Sequence, residues 1–268
     1  AGNYSLALSG ATVAQAIALD TDAKVASVSV VDSAANISGS INDLHGLGKK
    51  LQSASLSVAG VPLSLTHTQW VGKATTLNKI TGGFTATVSG VVAAKAGSVV
   101  ADTRVASVQV KDTYSNINNQ LAALQGLGVQ VSAIEQTTVG RLSMTASQWT
   151  SYTATLAKMS TSTDIQATQA GAELSITQAL TASLADLAAD SRVKTVGITD
   201  SAANVSASWA GLSSSSLVAA AGSSISLLNG AATPLALTAA QVAASASTLA
   251  KITNGSYSLQ VSEAGASA

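Results

Sequence analysis

The chain has 268 residues, of which 47% are hydrophobic, 10% charged and 3% aromatic; thirteen basic residues balance thirteen acidic ones, and there is no cysteine. This composition excludes charged disorder, a binder of nucleic-acid phosphates, disulfides, thiolate metal sites and cysteine nucleophiles. It leaves ample Ala, Val, Leu and Ile for a buried core.

At the start, Tyr4, Leu6 and Leu8 alternate with small residues, which predicts a strand entered directly, without a basic leader. TVAQAIALDTDA follows, with Val13, Ala16 and Ile17 spaced for a short helix. VASVSVVD is a β-branched strand. SAANISGSINDLHGLG places Ile37, Ile41 and Leu44 at helical spacing and ends in glycines suited to a C-terminal cap. SASLSV predicts a third strand and PLSL a short fourth. THTQWVGKATTLNKI predicts one helix, with Trp70, Ala74, Leu77 and Ile80 on one face. Gly82 and Gly83 then turn the chain into a second copy of the same pattern.

The copying is visible in three phrases. DAKVASVSV, DTRVASVQV and DSRVKTVGI lead to Asp32, Asp112 and Asp200. Each aspartate then opens DSAANI, DTYSNI or DSAANV. LSLTHTQW, LSMTASQW and LALTAAQV come next, followed by TTLNKITG, ATLAKMST and STLAKITN. An alternating strand is expected after each: FTATV from Phe84, TDIQA from Thr163 and YSLQV from Tyr257. The segments therefore run 1–82, 83–161 and 162–254, with a fourth begun at 255–268. This reads as a stretch of a longer array, or as an array ending in a partial unit, forming one elongated repeat domain over 1–268.

Three strand–helix turns per segment predict an α/β architecture. The expected form is a right-handed β–α solenoid with one stacked parallel sheet and helices on one side. One coil cannot bury its own apolar face, so stacking supplies the core.

Asp32, Asp112 and Asp200 stand where a strand gives way to a helix, which suits helix capping. Asn36, Asn116 and Asn204, four residues on, are expected to bond the backbone of a neighbouring coil. Calcium is the competing reading, but it takes six to eight oxygens and usually several carboxylates. The phrase offers one carboxylate, so no metal and no cofactor are expected. His45 and His67 lack the H-x-x-x-H spacing and are expected at the surface. No G-x-S-x-G elbow is present, so no catalysis is expected. Trp70 and Trp149 occupy matching positions and are expected to plug the core.

Strand alternation also predicts a flat, uncharged face carrying Ser27, Ser29, Thr85, Thr87, Ser107, Gln109 and Thr195. This face is solvated, or it is a contact surface for a partner, a glycan or ice. No apolar run reaches the ~18–20 residues that span a membrane.

The phrases V-x-V-x-D-[ST]-A-A-N-[IV], L-x-L-T-x-x-Q and T-L-x-K-I together resemble repeats of very large secreted bacterial proteins. These are adhesins, surface-layer-like proteins and cargo of type I secretion. The resemblance implies an extracellular or cell-surface location and a structural or adhesive role, with end-to-end self-assembly through the solenoid ends. A glycan- or surface-binding module using the Ser/Thr face is the alternative, and nucleic acid is not an expected partner.

Overall fold

The computed structural model describes residues 4–229, 232–253 and 257–263. Of the fourth segment's stretch, 255–256 and 264–268 lie outside the described residues. The chain divides into two compact bodies, residues 1–136 and 137–268.

The N-terminal body runs β1 (Leu6–Ala11), α1 (Val13–Ala18), β2 (Val25–Asp32), α2 (Ala34–Gly39), α3 (Ile41–Gly46), β3 (Leu51–Leu56), β4 (Leu63–Thr66), α4 (His67–Gly72), α5 (Ala74–Leu77) and β5 (Ile80–Thr81). It continues with β6 (Ala86–Val91), α6 (Ala96–Val100), β7 (Val105–Asp112), α7 (Tyr114–Leu127) and β8 (Val131–Gln136). The C-terminal body runs β9 (Arg141–Thr145), α8 (Ala146–Ser151), α9 (Thr153–Leu156), β10 (Met159–Thr161), β11 (Glu173–Ala179), α10 (Leu184–Ala189) and β12 (Val193–Asp200). It ends with α11 (Ala202–Ala207), α12 (Trp209–Ser214), α13 (Ser216–Ala219), β13 (Ser224–Leu227), β14 (Leu235–Thr238), α14 (Ala239–Ala244), α15 (Ala246–Leu249) and β15 (Leu259–Ser262).

The fold is α/β, with parallel sheets and short helices between strands, as the periodicity predicts. The single stacked sheet is not what forms. In the N-terminal body β1-β2-β3-β5 is one sheet, and β4, β6, β7 and β8 belong to another. In the C-terminal body β9, β11, β12 and β13 form one sheet, and β14-β15 form another. The cause is the fourth strand. β4 follows β3 in the chain but pairs with β6, from Leu63 opposite Ala86 to Thr66 opposite Ser89. β9 pairs with β11 in the same way, and β14 with β15. Each fourth strand is thus donated to the sheet that follows it. The two-residue β5 closes the edge it leaves behind, and a very short edge strand is a poor template for further pairing.

The core lies on one face of each sheet. Val28 and Val30, Val108 and Val110, and Val196 and Ile198 are all buried. So are Ile37, Ile41 and Leu44 of α2 and α3, and Ile117, Leu121 and Leu124 of α7.

Three local expectations need correction. The helix expected through Ile80 breaks at Lys73, and Ile80 joins β5 instead. The second helix is continuous only as α7; it divides at Ser40 and at Ser208, where α7 carries Gln120. Serine competes for backbone hydrogen bonds where glutamine favours the helix. Finally, TDIQA from Thr163 forms turns, and the strand of the third segment is ELSITQA ten residues later. Leu174 and Ile176 bury there at the register used by the other copies. The turn-rich insert is held by the Gln169 side chain, which accepts from the Gly140 N–H at 2.9 Å and donates to the carbonyls of Gly140 and Gly171.

Candidate functional site: the Asp–Asn corners

Each Asp–Asn phrase sits at the C-terminal end of a central strand, β2, β7 or β12. In open α/β sheets this end is where ligands bind, because helix N-termini converge there. The corners are therefore the place to look for chemistry.

The cap of the following helix is the residue after the aspartate. Ser33 Oγ accepts from the Asn36 N–H at 3.1 Å, and Thr113 and Ser201 do the same for Asn116 and Asn204 at 3.2 Å. The aspartate reaches elsewhere. Asp32 Oδ2 accepts from the Val13 N–H at 2.8 Å, the first residue of α1, nineteen positions earlier. Asp112 Oδ2 accepts from the Ala93 N–H at 2.9 Å, and Asp200 Oδ2 from the Thr181 N–H at 3.0 Å. The other oxygen turns back. Asp32 Oδ1 accepts from the Ser33 N–H and from Asn36 Nδ2, both at 2.7 Å. Asp112 and Asp200 repeat this with Asn116 and Asn204.

The carboxylate therefore ties the helix start after one strand to the corner of its parallel neighbour. The asparagine serves the aspartate of its own corner, where the sequence suggested a neighbouring coil's backbone. Physically, the carboxylate occupies the position where an anionic ligand would meet the helix N-terminus. Its acidity follows. Asp32 is held below the ordinary carboxyl range by the Val13 N–H, with Asn36 and Ser33 assisting against burial. Burial raises Asp200, but the bonds from Asn204, Thr181 and Ser201 outweigh it and leave it lowered.

A surface depression lies over the first corner, lined by Thr12, Val13, Ile17, Asp32, Asn36 and Ser40. A counterpart lies over the third, lined by Leu180, Thr181, Asp200, Asn204 and Ser208. Among the described residues no three His, Asp or Glu side chains gather as a metal site. Comparison with protein-family models, curated proteins and solved structures finds no match to this chain. The corners must be read from their own chemistry.

The other shared phrases resolve the same way. L-x-L-T-x-x-Q is a capping box: Thr66, Thr145 and Thr238 each accept from the N–H of Gln69, Gln148 or Gln241, whose side chain accepts in return. The T-x-x-Q spacing carried that signal and the sequence reading missed it. The lysine of T-L-x-K-I reaches an earlier helix end: Lys79 Nζ donates to the Gly48 carbonyl and Lys251 Nζ to that of Ala220, both at 2.7 Å.

Trp70 and Trp149 are half-buried, not core plugs. The Arg104 guanidinium lies 5.2 Å from the Trp70 ring and 5.6 Å from Phe84. Trp149 Nε1 donates to Asp190 Oδ2 at 3.1 Å, and Arg192 pairs with the same carboxylate. The fully buried tryptophan is Trp209. His45 is half-buried, 2.9 Å from Thr76 Oγ1.

The residues expected on a Ser/Thr face are divided between sheets: Ser27 and Ser29 lie on β2, whereas Thr87 on β6 and Ser107 and Gln109 on β7 share another sheet, where the Thr87 and Ser107 hydroxyls stand 3.3 Å apart. Thr85 is exposed just ahead of β6. Thr195 is only 4% exposed, donates to Ser175 Oγ at 2.8 Å and offers nothing to a partner.

Proposed function

We propose that this chain is a non-catalytic structural segment of a secreted or surface-displayed bacterial repeat protein. In this reading, successive segments continue as coils of a right-handed β–α array, and each segment's fourth strand completes the next sheet. One observation carries the proposal: the polar groups that recur along the chain are spent on bonds within it that tie strand ends to helix starts and one helix end to the next. Asp32, Asp112 and Asp200 each accept three or more bonds from within the chain. A repeated ligand site would keep such groups turned outward. Cysteine-free, weakly charged composition and the resemblance to adhesin and surface-layer repeats support the location.

The glycan-binding alternative is weakened by the burial of Thr195 and the division of its face among sheets. Thermal melting with and without calcium, beside a glycan array, tests the proposal. No calcium shift and a silent array are expected; a strong calcium shift or selective glycan binding would overturn it.

A further inference from the structure

The donated strands β4 and β14 each stand at the edge of a sheet, with β6 and β15 as their respective partners. An edge strand ordinarily presents a row of free N–H groups on which another strand can build. Along a strand, successive N–H groups point to opposite edges. Leu63 donates its N–H to the Thr85 carbonyl and Leu235 to that of Ser258, both at 2.8 Å, on the paired side. Ser64 and Thr66 of β4, and Ala236 and Thr238 of β14, therefore direct their N–H groups to the outer side.

All four of those donors are taken by side chains of the same body. The Thr66 N–H donates to Gln69 Oε1 at 2.9 Å and the Thr238 N–H to Gln241 Oε1 at 2.8 Å. These bonds belong to the capping boxes of α4 and α14 and come with the helix start. The mid-strand donors are met differently. The Ser64 N–H donates to Ser38 Oγ at 3.0 Å, and the Ala236 N–H to Ser206 Oγ at 2.9 Å.

Ser38 and Ser206 are matching residues, two positions after the corner asparagines Asn36 and Asn204. They lie on α2 and α11, which pack against β4 and β14. Their partners are 26 and 30 residues further along the chain, so the bonds are no part of local helix capping. Ser38 is 6% exposed, and Ser206 also donates to the Ala202 carbonyl at 2.7 Å. One hydroxyl thus donates within its helix and accepts from the strand edge, which alanine, the stronger helix former, cannot do.

We propose that Ser38 and Ser206 are edge-closing residues. Each occupies the one outward N–H that the capping box leaves over, and so keeps β4 or β14 from pairing with a strand of a second copy. The sheets keep their own boundaries even though their edge strands are short, flat and uncharged.

Amide hydrogen exchange of the 268-residue chain, followed by NMR, reads the two donors individually. In the unmodified chain Ser64 and Ala236 are expected to exchange slowly, as Leu63 and Leu235 do on the paired side. Ser38→Ala should speed Ser64, and Ser206→Ala should speed Ala236, by roughly tenfold, with Leu63 and Leu235 unchanged. Ser206→Thr keeps the hydroxyl and should restore slow exchange at Ala236. Ser206 is half-buried, so its variants carry the test where the buried Ser38→Ala does not fold. Sedimentation velocity across a concentration series should then show more association for Ser206→Ala, alone or with Ser38→Ala, than for the unmodified chain.

Fast exchange at Ser64 and Ala236 in the unmodified chain overturns the assignment, as does slow exchange that survives both alanine variants. Equal acceleration of Leu63 and Leu235 would make the serines general stabilisers and overturn it too. Faster exchange without added association would end the claim that the opened edge accepts a second copy. None of these results touches the structural reading, which falls instead on calcium or glycan binding.

Discussion

The two bodies build the same corner from different parts. In the N-terminal body the Asp32 and Asp112 carboxylates each take one backbone N–H from the neighbouring helix start. In the C-terminal body Thr181 gives Asp200 its hydroxyl as well, at 2.9 Å. Asp200 is 4% exposed, Asp112 8%, and Asp32 is half-buried. One residue group away, the advantage reverses. The first strand bulges before each corner, with Gly10 and Gly90 at φ 69° in the N-terminal body. The C-terminal body puts Gln178 there, at φ 54°. The topology fixes the geometry, and residue identity decides how comfortably it is met.

The largest effect should come from removing the best-satisfied carboxylate. Asp200→Ala leaves the Thr181 and Ser201 N–H groups, the Thr181 hydroxyl and the Asn204 amide without their acceptor. The expected cost is about 2–4 kcal/mol, from charged hydrogen bonds lost in a buried setting. Asp32→Ala at the more open corner should cost only about 1–2 kcal/mol, the range of a lost cap. Urea unfolding of the two variants checks the order. Equal losses would mean that the Thr181 hydroxyl and the deeper burial add nothing.

The bulge sharpens the contrast in the opposite direction. A Cβ at Gly10 or Gly90 meets nothing within 4 Å, so a substitution there reads backbone preference alone. Left-handed φ disfavours a side chain, whereas glycine adopts it freely. Gln178→Gly should therefore stabilise the chain by about 0.5–1 kcal/mol, after glycine's greater unfolded-state entropy is subtracted. Gly90→Gln should destabilise by about 1 kcal/mol. Thermal melting of both variants decides the point, and a loss of stability in Gln178→Gly would show that its side chain holds the bulge.

Strand and helix positions were largely legible because the apolar spacing is clear and the core is aliphatic. Val28 with Val30, and Ile37 with Ile41 and Leu44, went where their periods sent them. Partner choice was not legible. LSLT looks the same whether it closes its own sheet or the next, and only tertiary packing sends β4 to β6. At the site, the aspartates could be placed at corners from their position, but a bond spanning nineteen residues leaves no mark in local spacing. TDIQA misled for a related reason: five alternating residues fit a strand, yet the Ile165 N–H bonds the Ser162 carbonyl and the Thr168 and Gln169 N–H groups bond the Ile165 carbonyl, closing that stretch into turns. The tryptophans were misread because large aromatics usually seek the core. Here Trp149 keeps its indole N–H on a carboxylate at the body's margin.

The smallest expected contrast is between the two D-x-R turns, and pH resolves it. Arg192 holds the Asp190 carboxyl down to about 2 by a direct hydrogen bond, with the Trp149 indole assisting. Arg104 lowers Asp102 in the same way, but without a tryptophan donor. The Asp190 side chain is 14% exposed and that of Asp102 32%, so solvent screens the Asp102 pair more. In the unfolded chain both carboxyls protonate near pH ~4. As pH falls below that, the unfolded state takes up a proton that the folded state refuses, so stability drops until the folded carboxyl is itself protonated. For Asp190 the loss should spread from pH ~4 to about 2. Asp190→Asn should flatten that part of a stability–pH curve measured by urea midpoint. Asp102→Asn should change it little, consistent with a surface pair worth about 0.5 kcal/mol. Trp149 fluorescence gives a local check, because its indole loses a charged acceptor when Asp190 takes its proton. A curve unchanged by Asp190→Asn would place the acid sensitivity in the corner carboxylates, Asp32 and Asp200, whose acidity the corner bonds also raise.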